Sequence, residues 1–425
     1  MAQNNFSNAL RLLKNPNVSR MFVSYLITYM GTAMAPIAMA FGVLDLTGST
    51  ADAAFVIAAP TVAAIGVILI GGAIADRTSR QKVIFYAELL AMSAQLSMAF
   101  LFLSGLATVP WLTFFMLING IGIAFNAPAS TGLIIQLVDR EDLQTVNAIL
   151  GTARHGAIAI GAALGGLLVA WVGPGMTLLI DGVSFAISAA LILSLKPSAQ
   201  LKEKSESIIQ DLKLGWKEFS SHTWLWSIVL QFSLVVAALE AFFGLIGPAF
   251  TRDYMAGATD WGFIVSGFGI GTLVGGLFAI KINPRYPMRL AVMMVFAFPL
   301  VSLAMLLRSP LEVIVLAAFL VGFCDQIFSV LWYTTLQIKV APAMMSRVSA
   351  YDHIGSIALA PLGLVAAGLL YEGYGYQTTL TATIILVVIP TALVFLVKDV
   401  RNMTNEEDSR GCLLYTSDAA DEEDS

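Results

Sequence analysis

The chain has 425 residues, 58% of them apolar and only 12% charged, with a formal net charge of −5 and a mean hydropathy of +0.81. A soluble domain carries about 25% charged residues, so a soluble enzyme or binding module is excluded, and apolar runs recurring along the whole chain exclude a single-span anchor. Three histidines and two cysteines, none at ligand spacing, point to no metal or haem; no Gly-x-x-x-x-Gly-Lys-Ser/Thr loop offers itself to ATP, and no basic face to nucleic acid.

In chain order, apolar spans are expected at 20–46, 52–75, 82–104, 110–137, 143–172, 175–195, 224–250, 258–281, 287–308, 311–338, 345–370 and 376–397. Each is near or above the roughly 20 residues that cross a bilayer. The first follows a polar, basic segment and is too long for a signal-peptide core, so it reads as a retained helix. Of the 23 Lys and Arg, only Arg252 and Arg308 fall in outer connections and Arg154 within a span, provided the N-terminus is inside. That bias predicts both termini in the cytoplasm.

The longest polar stretch between spans divides the chain into 1–196, a linker at 197–223, and 224–400. Ile208, Ile209, Leu212, Leu214, Trp216 and Phe219 in that linker recur at the spacing of an amphipathic surface helix, with a plain tether as the alternative. Residues 401–425 form a cytoplasmic tail, of which 411–425 read as translated vector sequence rather than a native terminus. Cys412 lies in that tail and Cys324 mid-span, so no disulfide is expected.

An internal repeat at an offset of 202 aligns Gly120 with Gly322, Gly161 with Gly363 and Gly166 with Gly368, while Gly71-Gly72 aligns with Gly275-Gly276 at 204. Two related halves follow. Helix 5 also packs Gly151, Gly156, Gly161, Gly165 and Gly166 among alanines, a density of small residues that permits close helix contact.

The connection Gly71-Gly72-Ala73-Ile74-Ala75-Asp76-Arg77-Thr78-Ser79-Arg80-Gln81-Lys82, set between two apolar runs, joins two glycines to one acid and three bases. It resembles the signature loop between helices 2 and 3 of the major facilitator superfamily, with Gly72, Asp76, Arg77 and Arg80 as the conformational positions. Ser79 stands where that pattern prefers glycine and Gln81 where it prefers a base. The resemblance implies an all-α membrane protein, twelve transmembrane helices in two pseudo-symmetric six-helix bundles. Gly161-Ala162-Ala163-Leu164-Gly165-Gly166 resembles the helix 5 motif of the superfamily's exporters, with Ala162 in place of its proline; tight packing without directional meaning explains the same residues.

Charged groups at membrane depth are costly, so each is a functional candidate. Glu240 and Asp325, then Asp181, are the candidates for proton coupling, because a buried carboxyl that alternates between wet and dry surroundings takes up and releases a proton. Asp181 has a structural alternative, a pair with Arg154 or a helix cap; Glu88 is expected to pair with a loop base, and Asp352 and His353 to stand at a gate or interface. Tyr25, Tyr29, Asn119, Asn126, Arg154, His155, Gln231, Gln326, Trp332 and Tyr333 are the polar and aromatic candidates for a substrate cavity, and Pro36, Pro128 and Pro361 mark places for helix bends.

Leu44-Asp45-Leu46-Thr47-Gly48-Ser49, Asp142-Leu143-Gln144-Thr145-Val146-Asn147-Ala148 and Asp181-Gly182-Val183-Ser184-Phe185 resemble the bacterial drug, macrolide and siderophore efflux branch of the superfamily. The resemblance implies a monomeric, proton-coupled efflux permease of the bacterial inner membrane that moves amphipathic small molecules by alternating access, driven by the proton gradient with no bound cofactor. Uptake of a small nutrient by the same fold is the alternative.

Overall fold

In the computed structural model, the structure describes residues 11–139, 142–197, 208–279, 282, 284–340 and 344–404. The described residues are helices joined by turns and short connections, without a strand. Helices α1 (Pro16–Thr47), α2 (Thr50–Arg77), α3 (Arg80–Leu103), α4 (Val109–Leu137) and α5 (Leu143–Leu193) form the N-terminal bundle. After the linker helix α6 (Ile208–Ser221), the C-terminal bundle is built from α7 (Thr223–Ala241), α8 (Gly247–Tyr254), α9 (Ala258–Ala279), α10 (Pro287–Val295), α11 (Leu300–Leu306), α12 (Leu311–Lys339), α13 (Met345–Ile357) and α14 (Ala360–Phe395), followed by the short α15 (Lys398–Asn402).

Among the described residues, ten helical runs are long and apolar enough to cross a membrane, two of them 49 residues long. Neither of the long runs is straight. Adjacent Met30 and Gly31 of α1 touch Gly161 and Asp181 of α5 respectively, positions that a straight helix would separate by about 30 Å. The chain reverses at Gly173, whose φ of 82° and ψ of 172° lie outside any helix. The second long run reverses in the same way at Gly375 (φ 76°, ψ 176°), bringing both Gly363 and Thr391 against α7. These are the two places where the sequence expects a pair of spans.

That conformation is open in practice only to glycine. Alanine at Gly173 or Gly375 is therefore expected to destabilise the protein by about 1–3 kcal/mol, read as a lowered thermal unfolding midpoint in detergent. Gly151, around which a Cβ would meet nothing within 4 Å and which carries no positive φ, is the position where the same change should be neutral or slightly stabilising.

The repeated glycines occupy equivalent contacts. A Cβ on Gly120 would collide with the Pro60 carbonyl, one on Gly322 with that of Phe268; Gly161 sits against Met30, Gly363 against Ala237. Close backbone approach of this kind is how helices associate where lipid removes the hydrophobic drive. The surroundings of the bundle agree with lipid: Leu277 is 69% and Leu393 61% exposed, and side chains of this type cover the outside rather than a core.

Two predicted features change on inspection. Pro361 lies in the first turn of α14, after the helix breaks between Ile357 and Ala360, whereas Pro36 sits within the continuous α1. The linker is helical over Ile208–Ser221 and is seated on the C-terminal bundle, with Trp216 5.5 Å and Phe219 5.9 Å, ring to ring, from Tyr351. Trp216 and Leu214 remain exposed. Residues 405–425, and with them the tail assigned to vector sequence, lie outside the described residues.

Candidate functional site

Helices α1, α3, α4 and the second arm of α5 enclose a chamber of about 260 Å³ inside the N-terminal bundle, with Pro60 of α2 at its edge. Its walls are apolar, with Met39, Met116, Leu178 and Phe185 among them, interrupted by a small set of polar groups. On α3, Glu88 and Gln95 are seven residues apart and therefore share one helix face; both are buried. Asn126 and Ser130 stand one turn apart on α4. Asn126 Nδ2 donates to Glu88 Oε1 at 3.0 Å, and Ser130 Oγ donates to Asn126 Oδ1 at 2.8 Å.

The third group comes from α5. Asp181 has no exposed surface; Gln95 Nε2 donates to its Oδ2 at 2.6 Å, and Ser184 Oγ lies 3.3 Å from Oδ1. Only glycine fits opposite, because a Cβ on Gly31 would run into Asp181 Oδ1 and Ser184 Oγ. Ser24 and Ser188 close the network at 2.8 Å. Tyr25 and Tyr29 line the chamber with ring centroids 5.3 Å apart, and the Arg154 guanidinium stands 5.2 Å over the Tyr29 ring.

Of the sequence candidates, the structure thus brings together Tyr25, Tyr29, Asn119, Asn126 and Asp181, with Arg154 beside them. It does not form the Arg154–Asp181 pair: Asp181 takes Gln95, and Arg154 takes Tyr29. Glu88 meets Asn126 rather than a loop base. Gln231 turns into the C-terminal bundle, donating to Thr391 Oγ1 at 2.9 Å, and buried Trp332 donates to Asp352 Oδ2 at 3.1 Å, stacked on Phe328. Asp352 is accordingly an internal partner of Trp332, while His353 is exposed. Gln326 lies against Gly275 and Gly276 of α9. Tyr333 is 59% exposed on α12. Asp325 is half-buried on the same helix, and Glu240 is exposed on α7 a turn before Gly244, whose surroundings include Ile57 of the other bundle. The side chain of His155 lies outside the described residues.

The signature connection is helical to Arg77 and resumes at Arg80, with Ser79 as the N-cap residue of α3. The side chains of Asp76 and Arg77, and the surroundings of Gly72, lie outside the described residues. Gln81, the departure from the loop pattern, has a local purpose. Its Nε2 lies 2.9, 3.1 and 2.8 Å from the carbonyls of Ile192, Leu193 and Leu195, the groups a helix C-terminus leaves without partners.

The two bundles meet along a seam at the other end of α2, about 40 Å from Arg77 by helix length. There Ser49 Oγ donates to Glu372 Oε2 at 2.7 Å, Thr50 Oγ1 to the Gly368 carbonyl at 2.9 Å, and Arg252 Nη1 to the Leu44 carbonyl at 2.6 Å. Gly166 of α5 abuts Ala258 and Gly262 of α9, and its repeat partner Gly368 abuts Thr50 and Ala54 of α2. The helix 5 glycines are thus packing positions: Gly161 and Gly165 against α1, Gly166 across the seam.

Two helical bundles joined at one end, with polar groups and carboxyls buried at membrane depth, define a multi-pass transporter. The chain belongs to the major facilitator superfamily, in the family described as transmembrane secretion effector, which matches residues 8–417. It is 23% identical over 394 residues to the multidrug efflux pump Tap of Mycobacterium tuberculosis, covering 87% of this chain and 91% of that protein. It is 27% identical over 380 residues to the enterobactin exporter EntS of Escherichia coli, covering 83% and 87%. Among solved structures, a bacterial homologue of the human lysosomal transporter Spinster, inward-facing and unoccupied, superposes with a TM-score of 0.73 at 15% identity, covering 91% of this chain and 96% of the other. The nucleoside transporter NupG gives 0.70 at 14% identity, covering 90% and 100%.

Proposed function

We propose that this chain exports an amphipathic small molecule across the bacterial inner membrane in exchange for protons, by alternating access of its two bundles. The observation that carries the reading is the chamber: apolar walls around Glu88, with Asp181 behind Gln95, and only neutral hydrogen-bond partners on either acid. A buried acid held by neutral donors keeps its proton or loses it according to how wet its surroundings are, which is the property a proton-coupled cycle needs. Tap is a multidrug efflux pump and EntS an enterobactin exporter, which supports outward movement, and a drug, secondary metabolite or siderophore is the class of cargo in keeping with them. With both termini cytoplasmic, the hydrogen-bonded seam is the closed outer gate. The likeness to an inward-facing neighbour supports that assignment. The protein works as a monomer in the bilayer, with the proton gradient as its energy source and no cofactor.

Asp181 is the first coupling acid in this scheme, with Glu240 and Asp325 of the C-terminal bundle following it. Everted membrane vesicles containing the chain are expected to accumulate fluorescent dyes or labelled antibiotics, and an uncoupler to collapse that accumulation. Glu240→Gln and Asp325→Asn are each expected to slow proton-driven accumulation severalfold. Inserted protein that accumulates nothing across a broad panel would refute export; both variants exporting at wild-type rates under a pH gradient would remove these two acids from the coupling.

A further inference from the structure

A second cavity lies on the outside of the N-terminal bundle. It is a groove of about 530 Å³ along α3, bounded by Val83, Tyr86, Leu90 and Ser93, with Phe125 of α4 beside them. Tyr86 is 65% exposed and Ser93 is exposed as well, whereas Glu88 and Gln95, on the opposite face of the same helix, are buried. Among the described residues the groove's lining carries no charge. An exposed apolar groove on a membrane helix faces lipid.

Lys82 defines its polar end. Lys82, Tyr86 and Ser93 stand at i, i+4 and i+11, so one face of α3 carries an ammonium, a phenol and the groove in succession. Lys82 is exposed in the first turn of α3 and is the last residue of the signature connection. Among the described residues neither its ammonium nor the Tyr86 hydroxyl has a hydrogen-bond or ion partner. From Lys82 to Ser93 the helix rises about 17 Å, close to the roughly 15 Å of hydrocarbon in a single leaflet.

Two open donors above an uncharged apolar channel one leaflet deep are the complement of a phosphate carried on fatty-acyl chains. Charge then chooses among phospholipids. The ammonium of an ethanolamine headgroup repels Lys82, and no carboxylate lines the groove to receive it. A glycerol headgroup leaves the phosphate's negative charge uncompensated, to be met by Lys82.

We infer that this groove holds one anionic glycerophospholipid of the leaflet bordering the signature connection, its phosphate on Lys82 and Tyr86 and one acyl chain along Leu90, Ser93 and Phe125. The site is distinct from the chamber, and it depends neither on the direction of transport nor on the cargo. Ala87 belongs to the walls of both cavities, so the bound chain backs the chamber from outside.

The test titrates the purified full-length protein, delipidated in detergent, with phosphatidylglycerol, phosphatidylethanolamine and diacylglycerol carrying the same acyl chains, and counts bound lipid by native mass spectrometry. Phosphatidylglycerol is expected to be held about fivefold more tightly than phosphatidylethanolamine, the worth of one lysine near an anionic headgroup, with diacylglycerol weakest. Lys82→Gln should erase the difference between the two phospholipids. Ser93→Trp places a bulky ring in the groove from an exposed position and should weaken retention of phosphatidylglycerol severalfold. Lys217→Gln, which removes an exposed lysine of α6, should leave the ranking intact.

Equal retention of the two phospholipids by wild-type protein would overturn the inference. So would a preference that survives Lys82→Gln, or one that Lys217→Gln removes equally, since general surface attraction would then explain it. Unchanged retention in a Ser93→Trp protein that unfolds at the wild-type temperature would refute the groove as the seat of the acyl chain.

Discussion

Gly166→Ala is expected to cut proton-driven accumulation in everted vesicles at least severalfold, although the change adds one methyl group. The Cβ would be driven into the carbonyl oxygen of Ala258 and the backbone of Gly262. Both obstacles are main chain, so neither steps aside by changing rotamer, and the seam itself must widen. Widening it pulls on the hydrogen bonds that close this end, Ser49 to Glu372, Thr50 to Gly368 and Arg252 to Leu44. The closed-seam state then loses population against the open one, and a cycle that needs both states stalls.

Gly156→Ala on the same helix is the control, because a Cβ there meets nothing within 4 Å and alanine is favoured over glycine in a helix by about 1 kcal/mol. Thiol crosslinking between Ser49→Cys and Glu372→Cys reads the seam directly; it should fall in Gly166→Ala and hold in Gly156→Ala. Wild-type transport by Gly166→Ala would mean the seam tolerates separation and does not gate.

The seam was half legible in the sequence. Offsets of 202 between Gly161 and Gly363 and between Gly166 and Gly368 announce that two halves repeat a packing scheme. They do not say that the first pair packs within each half while the second packs between halves, because a glycine reports close approach and never its partner. The signature connection and the composition specified the superfamily for a similar reason: loop charge and helix length are local quantities.

What escaped was the pairing of polar groups across helices. Glu88 lies two turns into α3, close to the cytoplasmic end by linear count, which makes a loop base look like its natural partner. Asn126, the partner it has, is 38 positions away. One signal was available. Glu88 with Gln95, Asn126 with Ser130, and Asp181 with Ser184 and Ser188 each fall on a single helix face by spacing, and three such polar stripes on membrane helices have to face one another or a cavity. The opposite error befell Gln231 and Trp332, where an amide and an indole in mid-helix read as cavity groups but donate inside the C-terminal bundle, to Thr391 and Asp352.

Asp181→Asn should produce the sharpest separation of folding from function. Asp181 is fully enclosed, with Gln95 Nε2 at 2.6 Å and Ser184 Oγ at 3.3 Å as its side-chain partners. Asparagine has the same shape. Its oxygen can still accept from Gln95 Nε2 at the place of Oδ2, and its N–H₂ then stands at the place of Oδ1 beside Ser184 Oγ, which can accept from it. The variant is therefore expected to insert and to unfold close to the wild-type temperature. Asp181→Leu, which leaves the Gln95 amide without a partner, should lose about 1–3 kcal/mol.

An amide carries no exchangeable charge, however, so uptake of substrate against a pH gradient should fall to the level of vesicles lacking the protein. Facilitated movement down a substrate gradient, which needs the bundles to rock but no proton to be carried, should survive in the same preparation. Loss of both movements in a well-folded Asp181→Asn protein would make the carboxylate a structural group. Retention of both would move the coupling to Glu240 and Asp325, the two other coupling candidates, exposed and half-buried in the opposite bundle.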